Sequence, residues 1–234
     1  MRNYLTFGGV STSTYKCFIS GGGTFDSPER QYEMIDVPGR NGELIGLEKR
    51  MGNIDVTYPA FIFENFNSNL ASLRSAFLSK IGYQELTDTY HTDEFRLAMF
   101  AGDIKVDADH LRAGEFDLTF NCKPQRFLLS GKTKTTLTAN GSINNPTLFD
   151  SQPLITVTGY GEMYIGSQLI TIANVYPTVT IDSDMADCYS GADNANAQVT
   201  FQQNDFPVLI QRTNNITFEA TITKVEITPR WWRV

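Results

Sequence analysis

The densest group of acidic side chains in the sequence lies between Asp182 and Asp193, with Asp184 and Asp187 between them. Loops rich in carboxylate oxygens can bind calcium, which prefers oxygen ligands. The order of residues from Asp182 to Asp187 lacks the ligand that an EF-hand has at its fifth position and the glycine at its sixth. The pattern therefore favours carboxylates that solvate the end of a strand, and it leaves calcium binding as the alternative.

Other residues with catalytic or binding chemistry do not form a known motif. Residues 131–133, Gly-Lys-Thr, resemble the end of a phosphate-binding loop, but Arg126 stands where that loop needs its first glycine. His91 and His110 are the two histidines, and they do not form the His-Glu-x-x-His pattern of zinc enzymes. The sequence contains no Gly-x-Ser-x-Gly nucleophile motif. It therefore predicts no catalytic residue, no metal ligand and no cofactor, and hence a protein that is not an enzyme.

The charge of the chain argues against nucleic-acid binding. Residues 1–128 carry 13 Lys and Arg against 17 Asp and Glu, and residues 129–234 carry 6 against 9, which together give the net charge of −7. An acidic surface gains no binding free energy by displacing counterions from phosphates. We therefore expect that DNA is not bound specifically.

The cysteines and the apolar segments indicate where the protein is made. Three cysteines far apart in the sequence do not form a disulfide framework, so reduced thiols are predicted. No apolar run approaches the roughly 18 to 20 residues of a membrane-spanning helix. The first residues lack the apolar core of a signal peptide. We therefore expect synthesis in a cytoplasm and no membrane association.

A hairpin is predicted near the start of the chain. Tyr32–Val37 mixes β-forming and polar residues, and Glu43–Glu48 and Asn53–Phe63 are also strand-like. The connecting segment contains Asn41-Gly42, a dipeptide that favours the positive φ angles of a hairpin turn. The sequence therefore predicts two strands that flank a tight turn with a charged tip at Arg40.

One stretch has helical periodicity, over about residues 65–81. Its apolar residues recur at spacings of three and four and predict one narrow stripe: Leu70, Leu73, Phe77 and Ile81. Asn65 or Asn67 is placed to cap the first turn, and Gly82 is placed to follow the last. Strands are expected at Glu94–Val106 and Gly114–Cys122, with Lys123–Arg126 breaking the second of them.

The composition changes near Leu128. After it, Ser, Thr and Asn become frequent, charge becomes sparse, and short β-runs alternate with Gly, Pro, Asn and Asp turns. The chain is therefore predicted to be mainly β, with a β-domain that contains one helix at 1–128 and a β-sandwich at 129–234.

Three groups of segments, taken together, resemble the distal tail protein family of long-tailed phages and prophages of Gram-positive bacteria. The first is Ser27–Arg30 with Ile35–Leu44, and the second is Phe116–Leu128. The third lies in the C-terminal part and consists of Thr180–Gly191, Asn204–Leu209 and Lys224–Trp232. The order and spacing of these segments cover nearly the whole chain.

This resemblance implies a structural role at the tip of a virion tail. It implies a hexameric hub ring that joins the tail tube to the adsorption machinery and surrounds the DNA channel. The N-terminal domain would be tail-tube-like and the C-terminal domain galectin-like. The partners would be further copies of the chain, a tail-tube protein, and tail-associated lysins or receptor-binding proteins, while DNA passes through. Residues Arg40, Asn41 and Gly42 become the candidates for a ring interface.

Two alternatives stay open at this point. A galectin-like domain also suggests a lectin-like adhesion module, although the two tryptophans, Trp231 and Trp232, lie at the C-terminus, where a packing role is simpler. A tail-tube subunit is the closer alternative, and the extra sandwich argues against it.

Overall fold

The structure, a computed structural model, describes residues 2–46, 50–102, 104, 106–110 and 113–234. The chain divides into two compact units: Met1–Arg126 together with Val234, and Phe127–Arg233. Strands dominate both units, and the described residues contain one α-helix, so the protein is mainly β, as predicted.

The first unit consists of a strongly paired sheet, one helix and a separate hairpin. The helix is α1 (Phe66–Leu78). The strands are β1 (Leu5–Phe7), β2 (Val10–Ser11), β3 (Cys17–Ile19), β4 (Glu33–Ile35), β5 (Leu44–Gly46), β6 (Ile54–Ile62), β7 (Gln84–Asp88), β8 (Glu94–Phe100), β9 (Val106–His110) and β10 (Ala113–Leu128).

The sheet of the first unit follows the order β2-β1-β7-β8-β10-β6-β3, with β9 added to β10. Its longest ladder is antiparallel and pairs β10 with β6 without interruption, from Gly114 opposite Ile62 to Cys122 opposite Ile54. Side chains along both strands alternate between the core and the outer face, the period of a sheet with one buried side. Phe116, Leu118 and Phe120 accordingly lie in the core.

The two ends of this sheet meet. The backbone N–H of Ile19 in β3 donates to the carbonyl of Asn3, just before β1, at 2.9 Å. Because β3 is the last strand of the sheet order and β1 is near its start, this bond closes the sheet into a barrel. This bridge covers part of the outer edge of β3, which would otherwise be open to pairing with another chain.

Helix α1 differs from its prediction at both ends. Its buried face consists of Phe66, Leu70, Leu73 and Phe77. The helix ends at Leu78, and Ile81, predicted on the apolar stripe, is 89% exposed. Asn65 precedes the helix in a left-handed conformation and makes no side-chain cap. The prediction was wrong here because Phe66, not Ile81, completes the buried stripe.

Two strand boundaries also differ from prediction. Strand β10 continues through Pro124 to Leu128, although the segment from Lys123 was expected to break it. Pairing with β6 ends at Cys122, so the missing N–H of Pro124 costs no bond in that ladder. The long strand expected over Glu94–Val106 ends at Phe100, and a separate strand begins at Val106.

The second unit is a β-sandwich, as predicted. The strands are β11 (Thr135–Leu137), β12 (Gly141–Asn145), β13 (Leu154–Gly159), β14 (Gly161–Ile165), β15 (Gln168–Ile172), β16 (Thr178–Asp182), β17 (Asp187–Ser190), β18 (Asp193–Asn194), β19 (Val199–Phe201), β20 (Arg212–Phe218) and β21 (Ile222–Thr228). One sheet has the order β11-β21-β13-β16-β17-β18 and the other β12-β20-β14-β15-β19. A last strand, β22 (Trp232–Arg233), belongs to neither of these sheets. Alternate residues such as Ile155, Val157, Met163 and Ile165 fill one core.

The three cysteines are free and buried, as predicted. Burial raises the pKa of Cys17, Cys122 and Cys188 to about 12, so the thiols stay protonated at neutral pH.

No helix among the described residues is long and apolar enough to cross a bilayer.

Leu73 in helix α1 and Ile81 after it provide a matched test of the core of the first unit. Leu73→Ala removes a fully buried side chain and should lower the free energy of unfolding by about 2–5 kcal/mol. Ile81→Ala, the control, should change it by no more than about 0.5 kcal/mol, because that side chain faces solvent. Urea unfolding of both variants measures the difference. Equal losses would show that Ile81 packs against the core after all.

Candidate functional site

The hairpin Glu33–Gly46, called the arm below, lies outside the core of its own unit. Its strands β4 and β5 pair only with each other and form a two-stranded sheet. Met34 faces Ile45 across the pair, and both side chains are 56% exposed. Ile35 faces Leu44, and these two are exposed as well. The arm therefore presents apolar side chains in cross-strand pairs that its own unit does not bury.

The tip of the arm turns in a different place from the one predicted. The N–H of Arg40 donates to the carbonyl of Val37 at 3.1 Å and closes a turn around Pro38-Gly39. Gly39 has φ +81°, which the second central position of such a turn needs and which glycine adopts without strain. Asn41 has no positive φ, so Asn41-Gly42 does not form the predicted two-residue hairpin turn. Gly42 alone of that pair is left-handed, with φ +82°.

The three ring-interface candidates all lie at this tip. Arg40, Asn41 and Gly42 are exposed. The side chains of Arg40 and Asn41 make no hydrogen bond or ion pair with the part of the chain that the structure describes. The strand expected over Glu43–Glu48 is observed at Leu44–Gly46, and residues 47–49 lie outside the described residues.

Backbone bonds carry the arm back toward the barrel. The N–H of Gln31 donates to Arg50 O at 3.0 Å, and the N–H of Gly52 donates to Glu29 O at 3.2 Å. Strand β6 begins two residues after Gly52. The base of the arm is therefore an extension of the antiparallel pairing rather than a flexible linker of glycine and serine.

A buried ion pair holds the segment that leads into the arm. Arg126, at the end of β10, donates from Nη1 to Glu94 Oε1 at 3.0 Å and from Nη2 to the carbonyl of Thr24 at 2.7 Å. All three residues are buried. Charge-assisted hydrogen bonds in such surroundings are stronger than neutral ones. This contact, called the root below, fixes Thr24 to the barrel.

A second polar group is centred on Asp88, six residues before Glu94 of the root. Its carboxylate accepts hydrogen bonds from Tyr58 Oη at 2.8 Å, from the N–H groups of Tyr90 and His91, and lies 3.1 Å from His91 Nδ1. Burial and the charge of Asp88 raise the pKa of Tyr58. The ring of Phe25 packs edge-on against His91 at 5.6 Å. His91 is thus a structural contact for the segment before the arm, and the side chain of His110 lies outside the described residues.

Arg96 is the unusual member of this region. Its side chain is buried, yet neither Nη1 nor Nη2 has a hydrogen-bond partner in the described part of the chain. Burial and the nearby charge of Arg126 lower its pKa. The burial of these two nitrogens costs desolvation free energy that no hydrogen bond to them offsets.

The acidic cluster of the second unit is used for an ion pair. Arg230 donates from Nη1 and Nη2 to the two carboxylate oxygens of Asp182, at 2.6 and 2.9 Å. Asp182 Oδ1 also accepts the N–H groups of Asp184 and Met185. Asp187 is bonded to Asn196, and the described residues contain no group of three potential metal ligands. The arrangement supports a structural role for Asp182 rather than calcium binding.

The other features of the second unit that were considered as binding sites are a glycine, two tryptophans and a depression. The first three make packing contacts, and the depression carries no charged group. Gly131 packs so closely on the backbone at Trp231 that a Cβ there would clash, which explains the glycine of the Gly-Lys-Thr segment. Trp231 is buried, and Trp232 stacks on Phe149 at 4.3 Å. A shallow depression of about 390 Å³ beside Phe201 and Phe206 is lined by apolar, amide and hydroxyl side chains without a charged group.

The root provides a stability test with an internal control. Arg126→Met removes the ion pair with Glu94 and the bond to Thr24, and should lower the free energy of unfolding by about 3 kcal/mol. Arg96→Met removes a buried guanidinium whose Nη1 and Nη2 have no acceptor among the described residues, and should leave stability unchanged or raise it. Chemical unfolding of both variants is the measurement. A loss in Arg96→Met as large as in Arg126→Met would contradict this account of the root.

The Asp182–Arg230 pair provides a pH test. Burial tends to raise the pKa of Asp182, but the hydrogen bonds and charge of Arg230 outweigh it, and the pKa lies below its usual range. The ionised carboxylate therefore stabilises the fold above about pH 4, and this contribution is lost as pH falls through the lower folded-state pKa. Asp182→Asn should be destabilised at neutral pH and approach the wild type in acid. Asp193→Asn, at an exposed site, should follow the wild type throughout.

Comparison with known proteins supports the predicted fold. No protein-family model and no curated protein matches the sequence. The crystal structure of the SPP1 Dit (gp 19.1) protein is similar, with a TM-score of 0.77 and 12% identity, and the match covers 100% of both chains. That protein is described as a paradigm of the hub adsorption apparatus in phages that infect Gram-positive bacteria. The fold of this chain, in both units, is therefore the fold of a Dit protein, as its sequence resemblance to distal tail proteins implied.

Proposed function

We propose that the protein is a structural subunit of a phage distal tail, which forms a hub ring between the tail tube and the adsorption machinery. The observation that carries this proposal is the arm, whose paired apolar side chains are exposed on the isolated chain. The full-length likeness to the SPP1 Dit fold supports the same role.

The arm has the properties of an element that is completed by another copy of the chain. A two-stranded hairpin is at best marginally stable in water unless it packs against something. Met34 with Ile45 and Ile35 with Leu44 offer the surface for that packing. A contact in which the arm of one copy packs on the body of the next is heterologous, and such contacts form a closed ring when the rotation between copies is a simple fraction of a turn.

Six copies, a central DNA channel and a virion tail location complete the proposal. Both sequence halves are acidic, so a ring would let DNA pass without strong, salt-dependent binding. The ring partners would be a tail-tube protein on one side and tail-associated lysins or receptor-binding proteins on the other. The first unit would be the tail-tube-like ring former, and the second would be galectin-like.

No observation on the second unit favours a lectin or an enzyme over this role. Trp231 and Trp232 serve packing contacts, and the depression beside Phe201 carries no pair of acidic or basic groups. The acidic cluster is anchored by Arg230. The proposed role is accordingly geometric, and it needs no catalytic residue.

The arm can be tested without disturbing the core. The double variant Met34→Ser/Ile45→Ser should fold with nearly wild-type stability, because both side chains are 56% exposed and lie outside the core. It should fail to form rings when mixed with the tail-tube partner. Native mass spectrometry and electron microscopy measure assembly, and Val175→Ser, at another exposed apolar site, is the control. Normal rings in the double variant would remove the arm from the interface.

The tip can be tested at the candidate residue itself. Gly42 has φ +82° and open space around it, so Gly42→Val would strain the backbone by about 1–2 kcal/mol without a clash. We expect slower or incomplete assembly of this variant, measured by light scattering over time. Gly22→Val, at a glycine without a positive φ and with open space, is the matched control. Wild-type assembly of Gly42→Val would mean that the tip does not touch a neighbour.

A further inference from the structure

The sequence contains two Asn-Gly dipeptides, Asn41-Gly42 and Asn140-Gly141. Asparagine is a chemically labile residue, and a following glycine, which lacks a Cβ, allows its backbone nitrogen to approach the asparagine side chain closely. The two sites therefore share the same intrinsic chemistry. Any difference in their reactivity in the folded protein must come from the structure around them.

Asn41 is placed where that reaction can proceed. It is exposed at the tip of the arm, and its side-chain amide makes no hydrogen bond with the described residues. Gly42 is also exposed, and a Cβ built on it would have no atom within 4 Å. The backbone on both sides lies between the last arm pair, Ile35 with Leu44, and the turn at Pro38, so no strand ladder holds it.

Asn140 is held in place. Its Oδ1 accepts the backbone N–H of Phe218 at 3.0 Å. Gly141 is the first residue of β12 and is paired with Ile216 in an antiparallel ladder. Attack by the Gly141 nitrogen would require both the side chain and the strand to leave these positions.

We infer that Asn41-Gly42 is a site of spontaneous deamidation in the folded, unassembled chain, and that Asn140-Gly141 is protected. The Gly42 backbone nitrogen, after losing its proton to base, attacks Asn41 Cγ. A C–N bond forms, the bond from Cγ to Nδ2 breaks, and ammonia leaves after taking a proton from solvent. Water then opens the resulting succinimide at Cγ to give aspartate, or at the main-chain carbonyl to give isoaspartate. No oxidant or reductant takes part.

The product changes the tip of the arm in two ways. It places a new carboxylate between Arg40 and Glu43, and the isoaspartate form also adds a methylene to the backbone. If the tip meets a neighbouring copy, as proposed above, modified subunits lose assembly competence and assembled ones are shielded from reaction. This second step rests on the proposed function, whereas the deamidation itself does not.

Peptide mapping of the intact folded protein tests the site directly. Trypsin releases Asn41 in the peptide 41–49, and a second protease is needed for Asn140, because no Lys or Arg lies between Lys134 and Arg212. After incubation at mildly alkaline pH, Asn41 should show the mass increase of an amide replaced by a carboxyl, at a rate that rises with pH. Asn140 should remain an amide. In denaturant both sites should react at similar rates.

Each outcome decides between the alternatives. Equal rates at the two sites in the folded protein, or an Asn41 that stays intact while the denatured chain reacts, would overturn the inference. Asn41→Gln, which cannot form the five-membered ring, should abolish the reaction in its peptide. Aged wild type should then assemble less well than fresh protein, and aged Asn41→Gln should not. If Asn41 deamidates but assembly is unaffected, the site stands and the proposed interface at the tip fails.

Discussion

The unbroken ladder between β6 and β10 is the constraint on which the first unit depends. Nine consecutive residue pairs fix which side chains of both strands face inward. A slip of one residue would turn Phe116, Leu118 and Phe120 to solvent and bring Asp117 into the core, so the register is strongly specified. Helix α1, strand β1 and the bond that closes the barrel all pack on or connect to surfaces that this register creates.

The same ladder also determines how the arm leaves the barrel. Strand β10 continues beyond its pairing with β6 to Leu128. Near its end, the side chain of Arg126 faces the buried side because it is an even number of residues from Phe116 and Phe120. Arg126 reaches Glu94 and the carbonyl of Thr24. The barrel therefore fixes the segment that leads into the arm, while the apolar side chains of the arm stay outside the core. Under the proposed function, stability and assembly depend on different residues of one unit.

Sequence reasoning reached the architecture because alternation and turn residues are local signals. The strand around Phe116, the sandwich after Leu128 and the buried face of α1 from Leu70 to Phe77 all follow from periodicity. The end of the helix did not, because Ile81 is apolar and correctly spaced, and only the tertiary structure shows that the helix ends before it. The prediction of the arm's turn failed for a related reason, since Pro38-Gly39 and Asn41-Gly42 are both good turn formers and only Arg40 separates them. The root was missed although the sequence contains a signal for it. Glu94 and Arg126 are charged, yet the alternation of their strands places both side chains on the buried side. A charged side chain is rarely buried there without a partner.

The likeness to SPP1 Dit at 12% identity has a consequence for how such a protein changes over time. Core positions must remain apolar and alternate, but many side chains satisfy that condition, so sequence can drift while the fold persists. The arm is under a weaker requirement, because Met34, Ile35, Leu44 and Ile45 are exposed and lie outside the core of their unit. Substitutions there should cost less folding free energy than substitutions in the core. If the arm meets a neighbouring copy, as proposed, its contact surface can therefore change while the fold persists.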